Sequence, residues 1–125
     1  MAANLGLLPP AFAQTTGNLV FLSTNETLTN GPSMVTNARA GFQSEASAES
    51  LGFVDGTGAL SGTTPLPIDA NTKVLVLISV YDPISASSLA QLASAIANNP
   101  GLEVLAFVDS CSACGSGSLT VEPAA

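Results

Sequence analysis

The chain has 125 residues, enough for one domain that buries roughly two-thirds of its unfolded surface, so folding requires neither disulfide nor metal. Only 9% of residues are charged, against about 25% in ordinary soluble domains, and Arg39 and Lys73 stand against nine acids for a net charge of −7. Two isolated cations make no basic stripe, which argues against nucleic acid and anionic membranes as partners; the absence of histidine removes the commonest general base and metal ligand.

The first residues, MAANLGLLPPAFAQTT, carry an A-x-A-like Ala11-Phe12-Ala13. No Lys or Arg precedes it and Pro9-Pro10 breaks the apolar run, which disfavours a signal peptide. No apolar stretch is long enough to span a membrane. Residues 1–17 are expected to form an extended N-terminal arm.

Asn18-Leu-Val-Phe-Leu-Ser23 reads as a strand, and Leu51-Gly-Phe-Val54 as another that ends in the hairpin-like Asp55-Gly56. Between them, 24–50 is rich in Ser, Thr, Asn and Ala without a sustained period, and a helix over Ala38–Glu49 has weak support. Ser61 to Ile68 reads as a loop whose prolines fix an extended path. Asn25-Glu26-Thr27 matches a glycosylation acceptor by pattern alone. Gly56-Thr-Gly58 and Gly115-Ser-Gly117 lack the longer phosphate-binding pattern and read as turns.

The pattern sharpens after Thr72. Val74–Val80 is a near-continuous apolar run, as expected of a strand covered on both faces. Asp82 and Pro83 suit an N-cap and first helical residue. Leu89, Leu92, Ala93 and Ile96 then mark one apolar face of a helix over about 84–98, which Asn98-Asn99-Pro100-Gly101 ends. Leu102–Val108 is a second apolar strand, and Leu119–Val121 a short final one. Strand, helix and strand with short links form a βαβ unit with parallel strands. The sequence thus predicts one α/β (or α+β) domain over 1–125: the arm (1–17), a loop/β-rich region (18–72) and a βαβ core (73–125).

Cys111-Ser-Ala-Cys114 follows the last of these strands. A thiol-redox site needs a helix after the first cysteine, and Gly115-Ser-Gly117 with eight further residues leaves no room for one. Structural zinc takes four ligands, and this chain offers two thiols without imidazole. A Cys111–Cys114 disulfide would close a very small loop and stabilise by about 2 kcal/mol or less. Two small residues in a tight loop, or that local disulfide, are the readings retained.

Ligands of parallel sheets bind beyond the carboxyl ends of the strands, where Asp82 and Asp109 fall. Flanked by Ser85, Ser87, Ser110 and Ser112, they form a candidate oxygen-rich site for Mg²⁺ or Ca²⁺. Asp82-Pro-Ile-Ser85-Ala-Ser87 is loosely similar to the D-x-S-x-S metal loop of von Willebrand A domains; it departs by one inserted residue and a proline, and the chain is too short for that fold, so the family is not assigned. Aspartates more often cap helices and start turns.

Uncharged Ser/Thr/Asn surfaces are covered by neighbours at low desolvation cost. The sequence therefore points to a non-enzymatic structural protein that acts by assembly on copies of itself or a larger particle, with no cofactor. Examples are a virus or phage capsid decoration (cement) protein, another virion subunit or a surface-layer subunit, at a virion or extracellular surface. The alternative is a small binding domain or enzyme with a divalent cation at Asp82 and Asp109.

Overall fold

The structure, a computed structural model, describes residues 17–108. Four strands form one fully parallel sheet: β1 (Asn18–Ser23), β2 (Gly52–Gly56), β3 (Thr72–Ser79) and β4 (Glu103–Val108), in the order β2-β1-β3-β4. Helix α1 (Gly31–Ala48) links β1 to β2, and α2 (Ala86–Asn98) links β3 to β4. These crossovers step in opposite directions along the sheet. Crossovers of one hand that step oppositely must place their helices on opposite faces.

The core shows that division. Val20, Leu22, Leu75 and Leu77 pack with Leu92 of α2 and with Leu60 and Leu66 of the β2–β3 connection. Leu19, Phe21, Val76 and Ile78 pack with Val35 and Ala46 of α1. Odd and even residues of β1 enter different clusters because successive strand side chains point to opposite faces. The α/β class is observed, as is the C-terminal βαβ unit with its parallel strands.

The N-terminal half differs from the loop/β-rich expectation. It folds as a second βαβ unit, with β1 central and paired to both β2 and β3. Where the sequence supported only a weak helix over Ala38–Glu49, α1 spans 18 residues. Val35, Ala38, Phe42 and Ala46 carry its packing face, and two of these are alanines, which blunts the apolar period. Pro32 sits in the first turn, where its missing N–H costs nothing. Nor does Asp55-Gly56 turn a hairpin. Both residues belong to β2, Gly56 because any Cβ would lie 3.0 Å from the Phe21 carbonyl of the neighbouring strand. Asp55 instead accepts hydrogen bonds from the Thr57 N–H and hydroxyl and pairs with Arg39 at 3.5 Å.

At the end of α1 the Ser50 N–H donates to the Ser47 carbonyl and the Leu51 N–H to the Ala46 carbonyl. This closure requires a left-handed residue between them, and Ser50 supplies it at φ 59°. Ser50→Gly is expected to stabilise the domain by about 1 kcal/mol by removing the Cβ penalty, seen as a higher urea midpoint at unchanged slope.

Helix α2 starts later than the sequence suggested. Its N-cap is Ser85, whose Oγ accepts from the Ser88 N–H at 3.1 Å; Asp82 and Pro83 lie before it. Ile84 is instead a core residue, and the Ser85 N–H donates to the Leu60 carbonyl. Leu92 is fully buried and Leu89 and Ile96 half-buried, but Ala93 faces solvent. Ser88 takes the inward place, its hydroxyl donating to the Ala59 carbonyl at 3.3 Å.

Candidate functional site

The chain leaves β1 toward β2 on one side, while β3 joins β1 on the other. The two following loops, 24–30 and 80–85, lie at the carboxyl ends of the strands, the end at which doubly wound sheets bind ligands. Asp82 is brought there, as expected. Its partner in the sequence proposal, Asp109, lies outside the described residues, as do Ser110, Ser112, Cys111, Cys114, the strand over 119–121 and arm residues 1–16.

The centre of this end is taken by a residue the sequence did not single out as chemical. Glu26, three positions beyond β1, is fully buried. Its Oε2 accepts from the Val80 N–H at 3.0 Å, the Asp82 N–H at 3.4 Å and the Thr24 hydroxyl, and its Oε1 accepts from the Tyr81 N–H at 2.9 Å. Successive backbone N–H groups of this kind form a concave anion cradle. Here the cradle closes on the protein's own carboxylate. The backbone is bent to achieve it: Glu26 stands at φ 50° and Asn30 at φ 76°, conformations that persist only when surrounding contacts enforce them.

Several further polar groups at this end are also paired within the chain. Asp82 accepts from the Thr27 N–H at 3.0 Å through one oxygen and from the Thr27 hydroxyl at 3.2 Å through the other. The Ser79 hydroxyl donates to the Asp82 carbonyl at 2.6 Å. Ser23 Oγ accepts from the Gly58 N–H, and Ser61 Oγ from the Asn25 N–H. The Ser85 hydroxyl donates to the Gly62 carbonyl at 2.7 Å. Loops after β1, β2 and β3 are thereby stitched together.

Asp82 therefore braces two loops rather than capping α2, whose N-cap is Ser85. Among the described residues, no group of three or more Asp, Glu, Cys or His side chains is placed to hold a metal ion. Also among them, no helix is long and apolar enough to cross a membrane. What this arrangement does chemically is satisfy backbone donors with an internal acceptor, which ties the loops after β1 and β3 together. No protein-family model matches the chain, and neither a curated protein nor a solved structure matches it significantly, so the carboxyl end of its sheet is read from its own geometry alone.

Proposed function

We propose that this protein is a non-enzymatic structural subunit that acts by assembly, binding copies of itself or a larger protein particle, such as a capsid decoration protein or a subunit of another virion part or surface layer. The observation that carries this reading is β4. Parallel sheets are ordinarily covered on both faces, yet β4 is the only strand of the four with no buried residue. Its sequence, Glu-Val-Leu-Ala-Phe-Val, is nonetheless that of an interior strand. Phe107 is 48% exposed, and among the described residues nothing pairs with the outer edge of β4. An apolar, nearly uncharged strand with an open edge is a template for association. The net charge of −7 suits the outside of a nucleic-acid-filled shell better than its lumen, where like charges repel.

Sedimentation velocity over a concentration series tests this. The parent chain is expected to self-associate or to sediment with its particle, and Phe107→Asp to weaken that association at least about tenfold, the scale of losing one aromatic anchor. Because Phe107 is half-exposed, the variant should keep the parent's circular dichroism. Removing residues 1–16 in the same assay tests the arm; unimpaired assembly would remove it from the mechanism. A parent chain that stays monomeric and adheres to no particle overturns the reading.

A further inference from the structure

We infer that the groove between the C-terminal half of α1 and the amino-terminal ends of β3 and β4 receives a cationic amphipathic helix from a different protein; the inference rests on the assembly reading and names the partner chemistry. On the α2 face, Leu92 of α2 packs with β1 and β3 residues and with Val104 of β4, and the β2–β3 connection adds Leu60 and Leu66 to that core. On the opposite face α1 covers β1 and β2. The remaining quadrant, over β3 and β4 beside α1, holds a groove of about 640 Å³. Its apolar floor includes Phe42, Val74 and Leu105, and Phe107 extends that floor against Phe42 at a ring separation of 5.9 Å. The element that fills such a quadrant in a sheet layered by helices is another helix.

Charge decides what kind of helix. Glu45, Glu49 and Glu103 line the groove, with Lys73 as the one cation. Glu45 and Glu49 are four residues apart on the same helix side, where like charges repel. They also stand at the C-terminal end of α1, where the helix dipole favours cations, and the last turn holds no basic residue. Three exposed carboxylates around an apolar floor, two of them placed against the local electrostatics of α1, complement a helix with basic flanks. A second copy cannot supply those flanks: Arg39 is paired with Asp55, and Lys73, the other cation of the chain, already lies in the groove.

The probe is a synthetic amphipathic helical peptide with leucines at i, i+3, i+4 and i+7 and lysines on both flanks, titrated into the isotopically labelled full chain. Binding should weaken with added salt and perturb backbone amides of 42–51, 73–76 and 103–105. The triple variant E45Q/E49Q/E103Q should bind about tenfold more weakly, three modest rim charges acting together, while D69N, an exposed acid outside the groove, binds as the parent does. All three glutamates are exposed, so these changes leave the fold intact. Perturbation centred elsewhere, undiminished affinity of the triple variant, or equal binding of a second peptide with the same leucines and glutamates in place of the lysines overturns the inference. So does a groove that responds only after residues 1–16 or 109–125 are removed, or one covered by a homodimer interface. The triple variant leaves Phe107 and its exposed ring unchanged, so self-association of that variant in sedimentation reads the assembly proposal, while its peptide affinity reads the groove, and the two failures are distinguishable.

Discussion

Glu26→Ala is expected to lose about 3 kcal/mol of folding stability, the scale of leaving several hydrogen-bond donors without their acceptor. The change leaves the N–H groups of Val80 and Tyr81 and the Thr24 hydroxyl without their acceptor, at about 1–3 kcal/mol for a fully buried group and less for the two part-buried N–H groups. Water entering the space left by the side chain returns part of that, which bounds the loss. Glu26→Gln keeps one acceptor oxygen but turns an amide nitrogen toward N–H donors, and should cost about 2 kcal/mol. Urea unfolding of the three proteins measures both. If Glu26→Ala unfolds within about 0.5 kcal/mol of the parent, a surface-like effect, the buried carboxylate is not what ties the loops together.

The second large effect belongs to Gly31, the first residue of α1. A Cβ there would lie 2.3 Å from the Glu26 carbonyl oxygen and 2.9 Å from its carbonyl carbon. Those are backbone atoms of a segment already held in a left-handed conformation, so they cannot swing aside as a side chain would. Gly31→Ala should cost about 2–3 kcal/mol, as overpacking does. The matched control is Gly41 in the same helix, around which a Cβ meets nothing within 4 Å; Gly41→Ala should stabilise by about 0.5–1 kcal/mol. Because Gly31 acts by displacing Glu26, the costs of Gly31→Ala and Glu26→Ala should combine to less than their sum. Full additivity would show that the contact at Gly31 and the carboxylate cradle are independent.

The parts of the fold legible in the sequence are those with dense apolar runs. β1 is recovered at its observed bounds, and β3 and β4 within two residues, because Val, Leu, Ile and Phe leave strand-length blocks with turn residues on both sides. α1 was mostly hidden. Its inward positions include Ala38 and Ala46, Gly41 interrupts it, and Asn30 precedes it in a left-handed conformation with no side-chain cap, so neither period nor start signal is strong. The start of α2 was misplaced because Asp82-Pro83 imitates a cap and first turn, while the tertiary hydrogen bonds from Thr27 draw Asp82 away. Glu26 had no local marker at all. Its three backbone donors lie more than fifty residues ahead in the chain, and the faint hint was a lone acid in a charge-poor chain, just past a strand at the point where the sheet changes direction.

The central place of β1 also governs the order in which the chain can acquire its shape. Asn18–Ser23 is synthesised first among the strands, yet its second neighbour begins at Thr72. Until β3 emerges, a nascent chain that has closed β1, α1 and β2 carries Val20 and Leu22 bare on one side and an unpaired row of β1 amides along one edge. At ribosomal rates of about 5–20 residues per second that interval lasts seconds, far longer than the microseconds in which a hairpin closes. Long-range parallel pairing therefore makes the late arrival of β3, rather than the formation of either helix, the slow event of biogenesis. In that window β1 presents the kind of unpaired edge that, among the described residues, β4 keeps in the finished fold.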